Sequence, residues 1–230
     1  MKIKNSIILL QFSDTPKVQK HNTVLMKRLF VNLHKNPKTN EISLINSEIY
    51  ENETFEQNTQ KEVWNALHIN NIDVLKGEYY DVFEDKFGER TIHCSNICLL
   101  KESVPLDSSW YEIQLSDTDL VLQNKTEEYH IAFRKYNSHT EIVSSDILFA
   151  ENNTLFLIDA LLKLKNEFYF TPIVLNYVKS EFTIKEITEF FNCFSTKQFS
   201  KSTTKRRLGA FIEECPTQIE NQRHILYKRR

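Results

Sequence analysis

The stretch Phe199-Ser200-Lys201-Ser202-Thr203-Thr204-Lys205-Arg206-Arg207-Leu208 decides how the end of this chain is interpreted. Ser200 is a residue type that caps helices, and the residues after it predict a short cationic helix. Before it, Thr183-Ile184-Lys185-Glu186 is a capping box that predicts the start of another helix, over 182–194. Two short strands are predicted to follow, at 210–215 and 223–228.

Helix, turn, helix and hairpin is the plan of a winged helix, and a basic second helix suits the major groove of DNA. Residues 155–230 hold 13 Lys and Arg against 8 Asp and Glu. The remaining residues are net acidic, so an anionic partner is expected only at the carboxyl end. The sequence therefore predicts a DNA-binding winged helix-turn-helix domain at 151–230.

Basic side chains of this domain are expected to hold phosphates, whereas Ser202 and Thr203 are short enough to reach base edges. The predicted DNA-binding set is Lys201, Ser202, Thr203, Lys205, Arg206, Arg207, Arg223, Lys228, Arg229 and Arg230. Two alternatives stay open. The charges form only a solvated helix face, or the tail binds a protein.

Residues 1–150 predict a separate domain made of strands and one helix. Runs at 6–12 and 23–27 suggest a hairpin, and runs at 72–84 and 90–100 predict strands. A capping box at Thr54 predicts a helix over 53–67, with Phe55, Val63, Ala66 and Leu67 along one side. Residues 129–135 and 140–143 predict another hairpin, and Leu-rich spacing predicts a helix over 154–168.

Metal, membrane and targeting signals are weak in this sequence. Four cysteines, Cys94, Cys98, Cys193 and Cys215, are too few for a disulfide framework. His93 lies beside Cys94, but a structural zinc site needs ligand pairs at two places, so buried thiols and no metal are expected. Without a leader or an apolar span, a cytoplasmic protein without membrane contact is expected.

The first domain resembles the Nudix fold, whose signature helix carries metal-binding glutamates. With the Nudix box placed on Glu53, its Lys61-Glu62 and Val63 match the Arg-Glu and apolar positions. The paired metal-binding glutamates become Asn65 and Ala66. Nudix hydrolysis needs Mg²⁺ held by these carboxylates, and Asn and Ala do not supply them. No catalytic residue and no cofactor are therefore expected.

The whole chain resembles the Nudix-related transcriptional regulators of bacteria, some of which sense ADP-ribose and others sugars such as arabinose. Phe182-Thr183-Ile184-Lys185-Glu186-Ile187 is similar to the family's Phe-Thr-Leu-x-Glu-Leu, and Ile225-Leu226-Tyr227-Lys228 to its closing Ala-Leu-Tyr-Arg. Trp110-Tyr111-Glu112-Ile113 resembles a strand of its first domain. Ser202 and Thr203 replace the family's Arg and Asn, which implies a different operator.

The expected fold is α+β: a Nudix-like mixed sheet/helix sandwich followed by a winged helix. The resemblance implies a homodimer that binds double-stranded DNA at a pseudo-palindromic operator. It also implies that the first domain senses a small molecule, a sugar or a nucleotide-sugar such as ADP-ribose. Arg28, Glu53 and Arg90 are the candidate effector contacts. The alternative is a Nudix-type hydrolase with residual Mg²⁺-dependent activity on nucleoside diphosphate derivatives.

Overall fold

The computed structural model describes residues 2–19, 22–84, 90–136, 139–150, 153–194, 198–215 and 225–230. Its strands are β1 Lys2–Gln19, β2 Asn22–Asn32, β3 His34–Lys35, β4 Ile42–Ser43, β5 Ile45–Glu48, β6 Ile72–Glu84, β7 Arg90–Leu100, β8 Trp110–Leu115, β9 Asp119–Gln123, β10 Glu128–Tyr136, β11 His139–Ser145, β12 Glu181–Thr183, β13 Ile212–Glu214 and β14 Leu226–Arg229. Its helices are α1 Phe55–Leu67, α2 Asn153–Phe170, α3 Ile184–Asn192 and α4 Lys201–Leu208, with a 3₁₀ helix, η1, at Pro172–Asn176. The fold is α+β, as the sequence predicts.

The chain divides into two compact units. The first comprises Met1–Ser13, Leu29–Ile113 and Thr118–Ala160, and the second comprises Asp14–Arg28, Gln114–Asp117 and Leu161–Arg230. The far ends of β1 and β2 thus belong to the second unit. The linear division into 1–150 and 151–230 stays a prediction, and its boundary residues 151 and 152 lie outside the described residues.

A mixed sheet forms the frame of the first unit. Its strand order is β11-β10-β9-β8-β2-β1-β7-β6, and β5 also pairs with β1. The β1–β7 pair is parallel, whereas β6–β7 and β10–β11 are antiparallel. The predicted hairpins at 6–27 and 129–143 are both present as neighbouring strands, although the turn at 137–138 lies outside the described residues.

Strand β7 is buried along most of its length because it has a strand on each side and residues of both its faces are covered. Cys94 and Cys98 lie on it as buried free thiols, as predicted. Burial disfavours a thiolate and raises the pKa of both. These thiols are therefore part of the core packing.

Helix α1 begins after Thr54, where both hydrogen bonds of the predicted capping box are present. The predicted inner face of α1 is wrong in part. Phe55 is 39% exposed and Ala66 is exposed, whereas the buried side chains are Asn58, Thr59 and Val63. The sheet presents polar partners opposite part of α1, so Asn58 and Thr59 are buried there, whereas Val63 packs in the apolar core.

Helix α2 buries the stripe that the sequence predicts, which is Leu157, Leu161, Leu164 and Phe168. Within the described residues, no helix is long and apolar enough to cross a bilayer. In the second unit, β12, β14 and β13 form an antiparallel sheet in that order. Phe182 lies in β12, so α3 starts two residues later than predicted.

Candidate DNA-binding and effector sites

Helix α3 supplies the support for the cationic helix. Its start is fixed by the capping box, in which the Thr183 backbone N–H donates to Glu186 Oε2 (2.6 Å) and the Glu186 N–H donates to Thr183 Oγ1 (3.2 Å). Ile187, Phe190 and Phe191 are buried on one side of this helix. A short helix of this kind is stabilised by its cap and its packed apolar face.

Helix α4 is held against α3 by a buried hydroxyl contact. The hydroxyl oxygens of Thr188 and Thr204 are 2.9 Å apart, and both residues are buried. Ser200 caps α4, as predicted, by accepting from the Thr203 backbone N–H at 3.2 Å. Because Leu208 is also buried, the rotation of α4 about its axis is fixed.

This rotation decides which side chains of α4 face outwards. Residues of a helix are spaced by about 100°, so Ser202 and Arg206 lie on the side opposite Thr204 and Leu208. Both are exposed, and Thr203 is half-buried beside them. The outward face of α4, defined by Ser202 and Arg206, therefore presents a hydroxyl and a guanidinium to a partner.

Other predicted basic contacts are engaged within the unit. Lys205 Nζ is 3.0 Å from Glu214 Oε1 and lies 5.2 Å from the centre of the Tyr227 ring. The hydrogen bonds with Tyr227 and Glu214 raise the pKa of this lysine. Lys228 Nζ is 3.2 Å from Glu213, its cross-strand neighbour. These two lysines therefore neutralise the negative charges of Glu213 and Glu214 on β13.

Arg207 has an aromatic environment. Its guanidinium lies 5.5 Å, 5.9 Å and 5.2 Å from the ring centres of Tyr169, Phe170 and Phe199. Its Nη1 donates to the backbone oxygen of Tyr169 at 3.0 Å. A guanidinium over ring faces is stabilised by the ring quadrupole, so Arg207 has a role in holding α4 to α2.

The remaining predicted basic contacts differ in their surroundings. Among the described residues, no carboxylate forms an ion pair with Lys201, Arg206 or Arg230. Arg229 Nη2 donates to Asn176 Oδ1 at 2.6 Å. Arg223 lies outside the described residues. Lys201 and Arg206 thus both lie on α4, about 140° apart around its axis, and Arg229 and Arg230 lie at the end of β14 and directly after it.

In the first unit, α1 meets the sheet through neutral polar side chains. Asn5 Nδ2 donates to Asn58 Oδ1 at 2.9 Å and to Thr59 Oγ1 at 3.1 Å. Asn96 Nδ2 donates to Thr59 Oγ1 at 2.8 Å and to Asn5 Oδ1 at 2.9 Å. All four residues are buried. We call these four residues the amide cluster.

Sequence reasoning missed the amide cluster. Asn5 stands just before the apolar run 7–10 and Asn96 interrupts another apolar run, and such isolated polar residues are the available signal. Because a buried amide requires partners, each isolated Asn predicts a polar residue facing it. The sequence does not show which residue that is, because pairs such as Asn5 and Asn58 are far apart in the chain.

The Glu53 carboxylate, just before α1, is bound by two side chains of that helix. Its Oε1 is 2.6 Å from Lys61 Nζ and its Oε2 accepts from Asn58 Nδ2 at 2.9 Å. The hydrogen bond from Lys61, followed by that from Asn58, lowers the pKa of the Glu53 carboxyl. Ser47 also donates to Asn58, at 2.7 Å. Together these bonds fix the turn between β5 and α1.

With the Nudix box placed on Glu53, the positions of the metal ligands lie on α1 directly after Lys61. Asn65 and Ala66 are exposed, and Glu62 is half-buried, with an oxygen 3.5 Å from Lys61 Nζ. Within the described part of the chain, no three His, Cys, Asp or Glu side chains form a group that could hold a metal ion. His68, at the last Gly of the box, has a φ of 57°, a left-handed conformation that favours glycine.

The three candidate effector residues lie on different elements, and their role stays a prediction. Glu53 precedes α1, and Arg90 is exposed at the start of β7. Arg28 is half-buried on β2 and belongs to the second unit. Both carboxylate oxygens of Glu53 are in the hydrogen bonds described above.

Comparisons with known proteins rest on structure. No family model matches the sequence, and no match is found among curated protein sequences. A MutT/nudix family protein from Enterococcus faecalis matches with a TM-score of 0.68 and 16% identity, over 100% of this chain and 86% of the other. NrtR from Shewanella oneidensis matches with a TM-score of 0.59 and 13% identity, over 99% and 94%.

The NrtR structure in complex with a 27mer DNA matches with a TM-score of 0.57 and 12% identity, over 99% of this chain and 93% of that one. These matches cover both units of the chain. The chain therefore has the Nudix-like fold with the second domain found in NrtR, and its resemblance to Nudix-related regulators is confirmed at the level of fold.

Proposed function

We propose that this protein is a DNA-binding transcriptional regulator with a non-catalytic, effector-sensing Nudix-like domain. The observation that carries the proposal is the outward face of α4, where Ser202 and Arg206 are exposed beside Lys201 on a helix braced by α3. Together with the sheet of β12, β14 and β13, this helix supports the proposal of a winged helix. A neighbour of the same fold, NrtR, has been solved with DNA, which supports the proposal.

In this proposal α4 enters the major groove. Ser202 and Thr203 contact base edges, because their hydroxyls donate and accept hydrogen bonds. Lys201 and Arg206 hold phosphates, and the other predicted basic residues add to the positive field. Arg223, which lies outside the described residues, is a further predicted contact.

The protein acts as a homodimer on a pseudo-palindromic operator, because two recognition helices read two half-sites related by a two-fold axis. The site of action is the bacterial cytoplasm. Domains 1–150 and 151–230 carry the sensing and the DNA-binding roles. An effector changes DNA affinity only if it binds better to one arrangement of the dimer than to the other.

The effector is a sugar or a nucleotide-sugar of the ADP-ribose type. Support comes from the Nudix-like fold and from Asn65, an amide at one of the two positions where Nudix hydrolases carry the paired metal-binding glutamates. Amides and hydroxyls suit the hydroxyl groups of a sugar, whereas Mg²⁺ requires anionic oxygens. The amide cluster itself is satisfied internally, so it shapes the domain and leaves ligand contact to residues around it.

Selection from a pool of random duplexes with the full chain tests the DNA-binding proposal. Enrichment of an inverted repeat is expected. The Arg206→Ala variant, assayed in parallel, is expected to enrich the repeat poorly. A pool that stays random after selection with the unaltered protein would overturn the proposal.

The alternative is a Nudix-type hydrolase with residual activity, which is favoured by the retained Glu62 beside Lys61. It requires Mg²⁺-dependent cleavage of a nucleoside diphosphate derivative that is lost in Glu62→Gln. The loss of carboxylates at Asn65 and Ala66 argues against it.

A further inference from the structure

The second unit contains a pocket of about 400 Å³, and none of its lining residues belongs to α4. One wall is η1, which contributes Pro172, Ile173 and Leu175. Ala210 and Phe211, from the segment between α4 and β13, line another part. The volume lies in the range of about 300–1,000 Å³ that is usual for small-molecule sites.

Arg229 and Arg230 both line this pocket. The Arg229 guanidinium is oriented by its 2.6 Å bond to Asn176 Oδ1, itself a lining residue. Arg230 is placed by its backbone N–H, which donates to the Phe211 oxygen at 3.0 Å. A guanidinium has five N–H donors, so the bond to Asn176 leaves further donors for a ligand.

No Asp or Glu side chain belongs to the described lining of this pocket. It joins positive charge to apolar surface, including Phe211, whose side chain is 42% exposed. A planar carboxylate matches the guanidinium fork, and an apolar body matches the walls. A DNA phosphate would satisfy the arginines but would leave Ile173 and Phe211 uncovered.

We propose that this pocket binds a small organic anion, a carboxylate carried on an aromatic or branched aliphatic body. The carboxylate pairs with Arg229 and Arg230, and the body packs between η1 and Phe211. This is a ligand site distinct from the effector site proposed for the Nudix-like domain. It does not depend on DNA binding.

The test is a titration of the full chain with 2-naphthoate, followed by ¹H–¹⁵N NMR. The neutral amide 2-naphthamide has the same shape and serves as the ligand control. The amides of Ile173 and Ala210 are expected to shift with naphthoate and not with naphthamide. Arg229→Gln and Arg230→Gln are each expected to weaken binding about tenfold or more.

Two further variants complete the design. Arg134→Gln makes the same charge change on exposed β10, in the first unit, and is expected to leave naphthoate affinity unchanged. Asn176→Asp places a competing carboxylate against Arg229 and is expected to weaken binding, which keeps the test decisive if an arginine variant is unstable.

Equal binding of naphthamide and naphthoate would overturn the proposal. So would equal affinity in Asn176→Asp and the unaltered protein. A short DNA duplex that shifts the same amides, where naphthoate does not, would assign the arginines to the phosphate backbone and would also overturn it.

Discussion

Arg206 and Arg207 are adjacent in sequence and lie in different surroundings. Arg206 is exposed on the outward face of α4, whereas Arg207 lies over three aromatic rings and donates to the Tyr169 backbone oxygen. One residue along a helix turns a side chain by about 100°. We therefore propose that Arg206 binds DNA and that Arg207 stabilises the domain.

The pair provides a matched test of these two roles. Arg207→Ala is expected to lower the free energy of unfolding by about 1–2 kcal/mol, because it removes a cation–π contact and a hydrogen bond. Arg206→Ala is expected to leave stability nearly unchanged and to weaken DNA binding. Urea unfolding of both variants measures the difference, and equal stability losses would contradict these assignments.

Lys61 Nζ pairs with the Glu53 carboxylate and lowers its pKa. Lys61→Met is expected to raise the pKa of Glu53 towards its ordinary value of about 4.3, because the strongest hydrogen bond to the carboxylate is lost. A lowered folded-state pKa stabilises the protein above the unfolded pKa, and this contribution disappears as pH falls through the folded pKa. Carboxyl NMR titration measures the shift.

Lys101→Met, which removes a lysine paired with Asp73, is the control for this titration. It is expected to leave the Glu53 pKa where it is. An unchanged Glu53 pKa in Lys61→Met would show that Lys61 does not hold the carboxylate in solution.

At the scale of the element, the orientation of α4 depends on its buried threonines. Thr188 and Thr204 contact each other across α3 and α4, and each also has a backbone oxygen of its own helix within hydrogen-bond distance. Buried hydroxyls require such partners. This contact fixes the side of α4 that carries Ser202 and Arg206.

A double-mutant cycle with Thr188→Val and Thr204→Val tests the contact. Each single variant is expected to cost about 1 kcal/mol, because one buried hydroxyl loses a partner. The double variant is expected to cost less than the sum, because both partners are then apolar. Strict additivity in chemical unfolding would contradict a direct coupling between the two helices.

The element ends were largely predictable from sequence, because caps are local chemistry. Thr54, Thr183 and Ser200 all cap helices as expected. The inner face of α1 was not predictable, because Asn58 is buried only through its contacts with distant strands. Likewise, the basic run did not indicate that Arg207 packs on aromatic rings, since two of the three rings, Tyr169 and Phe170, come from α2.

At the scale of the whole molecule, the chain has a Nudix-like fold but is not expected to share the chemistry of Nudix hydrolases. The Nudix-like fold is shared with a MutT/nudix protein and with NrtR. The positions that align with the paired metal-binding glutamates are Asn65 and Ala66, both exposed. A fold alone does not define an activity, which depends on the residues at the site.

Because the fold alone does not supply the metal-binding carboxylates, we expect the protein not to hydrolyse ADP-ribose. Incubation of the full chain with Mg²⁺ and ADP-ribose is expected to release no AMP above the level of the Glu62→Gln variant, because two carboxylates needed to hold the metal are missing. Chromatography of the products measures this. Mg²⁺-dependent release of AMP that disappears in Glu62→Gln would instead support the hydrolase alternative.

The most direct test of the central claim is the salt dependence of duplex DNA binding by the unaltered chain and by Arg206→Ala. The logarithm of the binding constant is expected to fall linearly with the logarithm of salt concentration, and the slope for Arg206→Ala is expected to be shallower by about one. Arg134→Ala, which alters an exposed arginine in the first unit, should keep the full slope. Identical slopes for the unaltered chain and Arg206→Ala, or no binding at low salt, would contradict the claim that α4 contacts DNA.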